Sequence, residues 1–574
     1  MRIKSLSINY FRSIKSASII MHDITAIVGE NNAGKTAILR AINAVMNYAE
    51  EEESFRFGIH RYAPKHNTQI QIEFCDIPNK PYYANKVIGG TLTILFKYSY
   101  SKQRKFIYVI MGHDKLLIDD DFMSMLATDI TYVYIPSNRT DHDITWENDS
   151  ILNKVVSGYV AKHTEKRDNI SKAVKTAAQH IHNIALRGLE KEINHLYMHH
   201  NSVDFQLNFS PNIDYSILLD NIMLSINEYG SNYMLKECGS GTKSLTVIAM
   251  HRANALRNKT SIVLGIEEPE TNLHPQAQKC LIMSLRDNRH DNETQAIFTT
   301  HSTVLIDTLR HENIVLVRRR PDKRGFVSHI RQLPNDFWNK YNIEEYKHYQ
   351  YFNYKNSDFF FARYIIIGES KNDCQVFESL IQSQVKTNIA DISFLDAGGV
   401  GSIPYPFFLL KELEIPFVLI VDKDFFFKYI NNELSKSRNT ATGLPKYSPI
   451  MNSNPVLDDL FPTVVEKSLV EQECQKGYRA FFEHIKRKRI LSMNYCLDMD
   501  LTCSKAARLK YYEILHIAAN DQTQKHLLCN CGHAIKKIEN LYKIINGISQ
   551  SSMPESFQKI KNYLIHDINE QLKS

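Results

Sequence analysis

Gly29-Glu30-Asn31-Asn32-Ala33-Gly34-Lys35-Thr36 is a complete G-x-x-x-x-G-K-[ST] loop, set between an apolar strand, Ile24 to Val28, and a helix beginning near Lys35. Strand, glycine-rich loop and helix in this order make an anion cradle. The glycines let backbone N–H groups approach phosphate oxygens, Lys35 brings a cation to the β/γ positions, and the Thr36 hydroxyl can ligate magnesium. Gly29, Asn31, Asn32, Gly34, Lys35 and Thr36 are therefore the candidate ATP-binding residues.

Downstream, the apolar run Ile262-Val263-Leu264-Gly265-Ile266 ends in Glu267, Glu268, Pro269 and Glu270. Phosphoryl transfer needs charge neutralisation and a positioned water more than covalent help, and two adjacent acids at the end of a buried strand can supply both. Glu267 is the expected holder of the magnesium shell, and Glu268 is expected to orient or deprotonate the water. Glu270 reads as a solvated acid at a helix start. A further apolar strand ends in Thr299-Thr300-His301-Ser302, which puts His301 where it can sense the γ-phosphate.

With Gly239-Ser240-Gly241-Thr242-Lys243 ahead of the acidic strand, these pieces resemble the chromosome-maintenance branch of the ABC ATPases. Phe11-Arg12, after the first strand, resembles that family's opening. The resemblance implies that Ser240 and Gly241 complete the nucleotide site of a second copy of the chain, so that two heads sandwich two nucleotides. Thr242 and Lys243 depart from the usual Gly-Gln, and Glu267 replaces the usual aspartate. The string Ile266-Glu267-Glu268-Pro269-Glu270 with Leu273-His274-Pro275 resembles the OLD (overcoming lysogenisation defect) nucleases in particular.

A new βα pattern starts at Tyr364-Ile365-Ile366-Ile367, which runs through Gly368 to Glu369, with Asp373 at the start of a predicted helix. The strand Phe417 to Val421 ends in Asp422-Lys423-Asp424. Acids at the carboxyl ends of strands lie where open α/β sheets place their chemistry. Residues two apart on an extended segment share a face, so Asp422 and Asp424 are expected to join Glu369 in a carboxylate cup for one or two hard cations, Mg2+ or Mn2+. Such a cup neutralises phosphodiester oxygens and activates water. Glu369, the pair Gly398-Gly399 and then Asp422/Asp424 resemble the Toprim fold of topoisomerases, bacterial-type primases and OLD nucleases. That resemblance implies Glu369, Asp373, Asp422 and Asp424 as metal ligands. It also suggests Asp500, in Leu497-Asp498-Met499-Asp500-Leu501, as the acid of a later strand. Ser370 stands where glycine commonly follows the glutamate, and Thr502 where a further acid is usual.

At 574 residues the chain exceeds one ordinary core. The expected architecture is α/β: an ABC-type ATPase head from residues 1–144 and 231–330, interrupted by a helical insertion at 145–230, then a Toprim domain with a helical C-terminal region at 360–574. Within the insertion, Val174, Ala177, Ile181 and Ile184, then Leu189, Ile193 and Leu196, recur at helical spacing, as a dimerisation element or an internal packing helix would. Lys plus Arg exceed Asp plus Glu by six, 69 against 63, so net charge alone does not demand a polyanionic partner. Local runs do more: Arg318, Arg319, Arg320, Lys323 and Arg324, and Lys486 to Arg489, are candidate DNA-phosphate surfaces. The N-terminus lacks a signal-peptide core and no run of about 18 apolar residues occurs, which points to a cytoplasmic protein without a membrane span. Nine scattered cysteines form no disulfide pattern, and Cys529, Cys531 and His533 lack the spacing and second pair of a zinc site.

The OLD resemblance implies a homodimer or larger assembly in which ATP regulates metal-dependent DNA cutting. It also implies the antiphage setting of Gabija-type and retron-associated effectors, where a helicase, or a reverse transcriptase with a DNA–RNA hybrid, is the partner. Two other readings stay open: a nucleotide-dependent DNA-binding regulator whose Toprim acids are inactive, and a Toprim topoisomerase or primase.

Overall fold

The computed structural model describes residues 1–139, 141–145, 150–161, 182–197, 203–209, 222–228, 230–256, 261–286, 294–323, 325–344, 357–382, 384–385 and 391–572. The chain divides into two compact units, Met1–Gln332 and Leu333–Ser574.

The first unit carries two six-stranded sheets. Strands β1 (Arg2–Phe11), β2 (Ile14–Ile20), β4 (Thr68–Cys75), β5 (Leu92–Ser99), β6 (Arg104–Met111) and β7 (Asp114–Ile118) form an antiparallel sheet in the order β2-β1-β4-β5-β6-β7. β4 alternates strictly between buried and half-buried residues, the period-2 pattern of a sheet with one face on the core. The other sheet comprises β3 (Ile24–Gly29), β8 (Ile130–Ile135), β12 (Ser261–Glu267), β13 (Thr294–Thr300), β14 (Ile314–Asp322) and β15 (Gly325–Gln332), in the order β15-β14-β3-β13-β12-β8. All its pairs are parallel except β14 with β15. β3, β12 and β13 are buried along their whole length, as central strands covered on both faces must be.

Helix α1 (Lys35–Met46) packs against strands of both sheets, with Ile38, Leu39 and Ile42 in the same core as Leu6, Ile8, Ile70 and Ile72. Truncating one of these isoleucines to alanine costs about 2–5 kcal/mol. Helix α2 (Tyr48–Arg56) follows at once and adds Phe55 to that core.

The expected insertion at 145–230 is not helical throughout. Helices Ile151–Ala161 and Arg187–Leu196 are present, but β9 (Val203–Phe209) and β10 (Ile222–Glu228), with β11 (Ser231–Met234), form a three-stranded antiparallel sheet. Val203-Asp204-Phe205-Gln206-Leu207 alternates apolar and polar residues, a strand period that the helical reading passed over. Leu189 and Ile193 are buried and Ile184 is exposed, while Val174, Ala177 and Ile181 lie outside the described residues.

The second unit is built on a parallel sheet, β17-β16-β18-β21, from β16 (Tyr364–Gly368), β17 (Ile392–Asp396), β18 (Phe417–Val421) and β21 (Ile490–Ser492), beside a hairpin of β19 (Phe427–Tyr429) and β20 (Tyr447–Met451). Residues 333–344 belong here, with Trp338 stacked on Tyr405 at 5.2 Å. From Leu497 to Gln571 the chain is a series of helices. Leu497–Cys503 is one of them, so Asp500 does not stand on a strand. Among the described residues no helix is long and apolar enough to cross a membrane.

Candidate functional site

The glycine-rich loop leaves the carboxyl end of β3 and turns into α1. Gly34 has φ 104°, and a Cβ there would lie 2.3 Å from Ser328 Oγ and 2.7 Å from Ser13 Oγ, so both the conformation and the space call for glycine. Lys35 Nζ donates to the carbonyls of Gly29 at 3.1 Å and Glu30 at 2.8 Å. Burial pushes its pKa down to about 8, against the pull of Glu268, Glu270 and Glu30. A polyphosphate in this loop supplies the anionic partner that a buried ammonium lacks.

β12 and β13 end beside the same loop. Glu267 Oε1 accepts from the Tyr134 hydroxyl at 2.5 Å, and its Oε2 from Ser137 N at 3.3 Å. Glu268 has left-handed backbone, φ 41°, and its N–H donates to the carbonyl of Thr299 at 3.0 Å. That turn brings its carboxylate 4.0 Å from His301 Nε2. Glu270 is no solvated helix start: its Oε1 accepts from Thr300 Oγ1 at 2.8 Å and from His301 N at 2.7 Å, tying the end of β12 to the end of β13. Burial raises its pKa while those bonds oppose the rise.

Ser240 opens the helix Ser240–Leu256, and a Cβ on Gly241 would come within 2.5 Å of the Asn272 carbonyl. Arg139 fastens this helix to the acidic strand, donating to Ser244 Oγ at 2.7 Å and to the carbonyl of Glu267. Sequence reasoning missed Tyr134, near the end of β8, and Arg139, just beyond it, both more than a hundred residues from the Glu267 that they bond.

In the second unit, β16 delivers Glu369 and β18 delivers Asp422. Lys423–Phe426 is a helical turn that starts directly after Asp422, so Asp422 and Asp424 converge through that turn and not along an extended strand. Glu369 Oε2 accepts from Asp422 N at 3.1 Å. One oxygen from each of Glu369, Asp422 and Asp424 lies within 4.8 Å of the others. Asp422 Oδ1 and Asp424 Oδ1 are buried and lack a hydrogen-bond partner among the described residues.

Burial, then the charges of Asp424 and Asp373, push Glu369 up to about 7, and Asp422 is raised by burial and by its acidic neighbours. Asp424 is raised by burial despite the Tyr429 hydroxyl at 3.2 Å and the nearby ammonium of Lys536. Three desolvated carboxylates, two of them with an orphaned oxygen, fit a hard divalent cation, whose charge offsets both the repulsion and the desolvation.

Asp373, expected among the ligands, lies outside this group. Its carboxylate turns back to the first turn of its own helix, Lys371–Ile381, accepting from Ser370 N at 2.9 Å and Ser370 Oγ at 2.6 Å in a capping box. Asp500 is likewise engaged elsewhere, by Asn494 N, Tyr495 N and Ser556 Oγ. Asp498 and Lys536 went unread in the sequence, although burial raises Asp498 and Lys536 is the leading charge against that rise.

The basic runs differ. Arg319, Arg320 and Lys323 are exposed toward the tip of the β14–β15 hairpin, whereas Arg324 lies outside the described residues. Lys486, Lys488 and Arg489 pair with Glu483, Glu466 and Asp567, so that run is largely compensated.

Two family models match the chain: an AAA domain described as putative AbiEii toxin, type IV TA system, over residues 24–307, and an overcoming lysogenization defect protein-like TOPRIM domain over 360–424. The OLD nuclease of Thermus scotoductus is 24% identical over 459 residues, covering 74% of this chain and 82% of that protein. The Old nuclease of Escherichia phage P2 is 22% identical over 577 residues, covering 92% and 89%. Endonuclease GajA of Bacillus cereus is 23% identical over 393 residues, covering 62% and 53%. With the nucleotide loop and the acid cluster each inside its matched domain, and the domains in this order, the chain carries an ATPase domain followed by an OLD-like Toprim domain and is similar to the OLD nucleases along most of its length.

Proposed function

We propose that the protein is a DNA endonuclease that cuts with Mg2+ or Mn2+ at Glu369, Asp422 and Asp424, under the control of ATP bound at Gly29, Asn31, Asn32, Gly34, Lys35 and Thr36. The observation that carries this reading is the half-buried, mutually repelling carboxylate group with buried, orphaned oxygens on Asp422 and Asp424. The nuclease names of relatives across most of the chain support the reaction class.

A divalent cation held by the three acids supplies charge neutralisation to the scissile phosphodiester. The chain's own groups do the rest. Asp422 and Asp424 each bring an oxygen within 4.8 Å of the other and of Glu369, Glu369 accepts from Asp422 N–H, and Lys536 offers a cation near Asp424 for a phosphate oxygen. Exposed Arg319, Arg320 and Lys323 form a phosphate-binding surface.

In the first unit, Glu267 and Thr36 hold the magnesium that accompanies ATP, Glu268 orients the attacking water and His301 stands by the γ-phosphate. Ser240 and Gly241 serve the nucleotide of a second copy in a homodimer or larger assembly. The domains run 1–144 and 231–330 for the ATPase, 145–230 for the insertion and 360–574 for the Toprim domain with its helical region. The likeness to endonuclease GajA supports a role in defence; the setting we propose is cytoplasmic and antiphage, with a helicase, or a reverse transcriptase with a DNA–RNA hybrid, as the partner.

Supercoiled plasmid incubated with Mg2+ or Mn2+ tests the reaction. Wild type nicks or linearises it and Asp422→Ala does not. Equal cutting by both refutes the assignment, and a covalent tyrosine–DNA adduct replaces it with a topoisomerase.

A further inference from the structure

Arg12 lies directly after β1, and its neighbour Ser13 sits against the nucleotide loop. Ser13 Oγ is 2.7 Å from Ser328 Oγ, which donates to the Ala33 carbonyl at 2.6 Å. Arg12 has left-handed backbone, φ 50°, and its N–H donates to the His60 carbonyl at 3.0 Å. Its Nε donates to His60 Nδ1, also at 3.0 Å. Among the described residues its two terminal nitrogens have no hydrogen-bond partner. Burial, then repulsion from Arg40, lowers its pKa, so the guanidinium gains from an anion.

Behind Arg12 lies a fully buried pair. His60 Nε2 is 2.8 Å from Glu51 Oε2, and both side chains have 0% exposure. Glu51 Oε1 also accepts from Arg40 Nη1 and Asn43 Nδ2, each at 2.8 Å. Burial alone would raise the Glu51 pKa, but the bonds from His60, Arg40 and Asn43 win and hold it at about 2. Glu51 is therefore an acceptor only. A neutral imidazole donates from one nitrogen and accepts at the other, so the proton sits on Nε2 and the lone pair on Nδ1. That lone pair is what the Arg12 Nε–H requires.

We propose that His60, set in its Nε2–H tautomer by Glu51, is a positioning residue that aims the Arg12 guanidinium at the polyphosphate of the bound nucleotide. An arginine pinned through Nε has its planar guanidinium held in one orientation, with both terminal nitrogens presented as a fork matched to phosphate oxygens. The inference rests on the ATP-binding reading of residues 29–36.

The test is the affinity of the full chain for ATP with Mg2+, measured by calorimetry. Arg12→Ala and His60→Ala each weaken binding by about tenfold, the loss of one charge-assisted contact. The double variant binds no worse than Arg12→Ala alone, because His60 acts through Arg12. Glu51→Gln, nearly isosteric, weakens binding similarly, since its amide sets a donor against either His60 or Arg40. If His60→Ala fails to fold, Glu51→Gln alone and combined with Arg12→Ala carries the comparison. Wild-type affinity in Glu51→Gln or folded His60→Ala overturns the inference, as does an additive loss in the double variant. A wild type that does not bind ATP, or binds regardless of Lys35→Ala, overturns the nucleotide-site reading and this inference with it.

Discussion

The hydroxyl of Tyr134 donates to Glu267 Oε1 at 2.5 Å, across 133 residues of sequence. The ring that carries it lies under the guanidinium of Arg40, 4.3 Å from ring centroid to carbon. Glu267 is 8% exposed, so its carboxylate is aimed by this phenol and by Ser137 N–H rather than by water. A buried hydrogen bond to a charged group is worth about 1.5–3 kcal/mol. Tyr134→Phe is expected to lower kcat for ATP by about tenfold while KM stays within about twofold, because the magnesium that Glu267 is proposed to hold counters charge that develops in the transition state. Steady-state ATPase kinetics check this, and a rise in KM alone would place Tyr134 in ground-state binding.

Lys35 gives a second prediction. Its ammonium is buried, held by two carbonyls and lowered to about 8, so it is poised to gain a phosphate partner. Lys35→Ala should abolish ATP turnover and leave stabilisation by Mn2+ in the second unit intact. Phosphate release and thermal melts on the same preparation separate the two. Loss of both responses would argue against separate nucleotide and metal sites.

The nucleotide loop was legible in full because its chemistry is contiguous: eight residues carry glycine, lysine and threonine at fixed spacing. Glu369, Asp422 and Asp424 were legible as strand-end acids, although the pair converges through a helical turn that a two-residue repeat does not reveal. Asp373 reads two ways in sequence, because its spacing from Glu369 suits a ligand and its spacing from Ser370 suits a capping box. The box wins since the carboxylate finds two donors three residues back. Tyr134 and Glu270 were illegible for another reason. Their partners come from other strands of a parallel sheet, and only the crossovers bring them together.

A histidine supplies a prediction in pH. His311 is 2% exposed and burial pushes its pKa down to about 3, below the ordinary value near 6.5. A depressed histidine pKa means that the unfolded chain takes up the proton more readily. The corresponding stability is fully present above about pH 6.5 and is lost as pH falls toward 3. His311→Gln should lower stability at pH 7 and flatten its decline between pH 6.5 and pH 4 relative to wild type. Urea midpoints at both ends of that window provide the check, and parallel curves for the two proteins would exclude His311 as a contributor.

The carboxylate group predicts a reversal of rank. Without a cation, the charges of Glu369, Asp422 and Asp424 repel one another in a desolvated site, so Asp424→Asn removes a source of strain and should melt higher than wild type in EDTA. With saturating Mn2+ the order should invert. A ligand at about 100 times its Kd adds about 2.7 kcal/mol to the state that binds it, and the asparagine variant forgoes most of that gain. Tyr429 argues against a trivial packing effect, since its hydroxyl can still donate to the amide oxygen of the variant at the same 3.2 Å position. Thermal melts of both proteins with and without Mn2+ decide the matter. Equal metal-induced shifts would remove Asp424 from the ligand set, and a lower melting point for the variant under both conditions would mean that its carboxylate stabilises the fold without any metal.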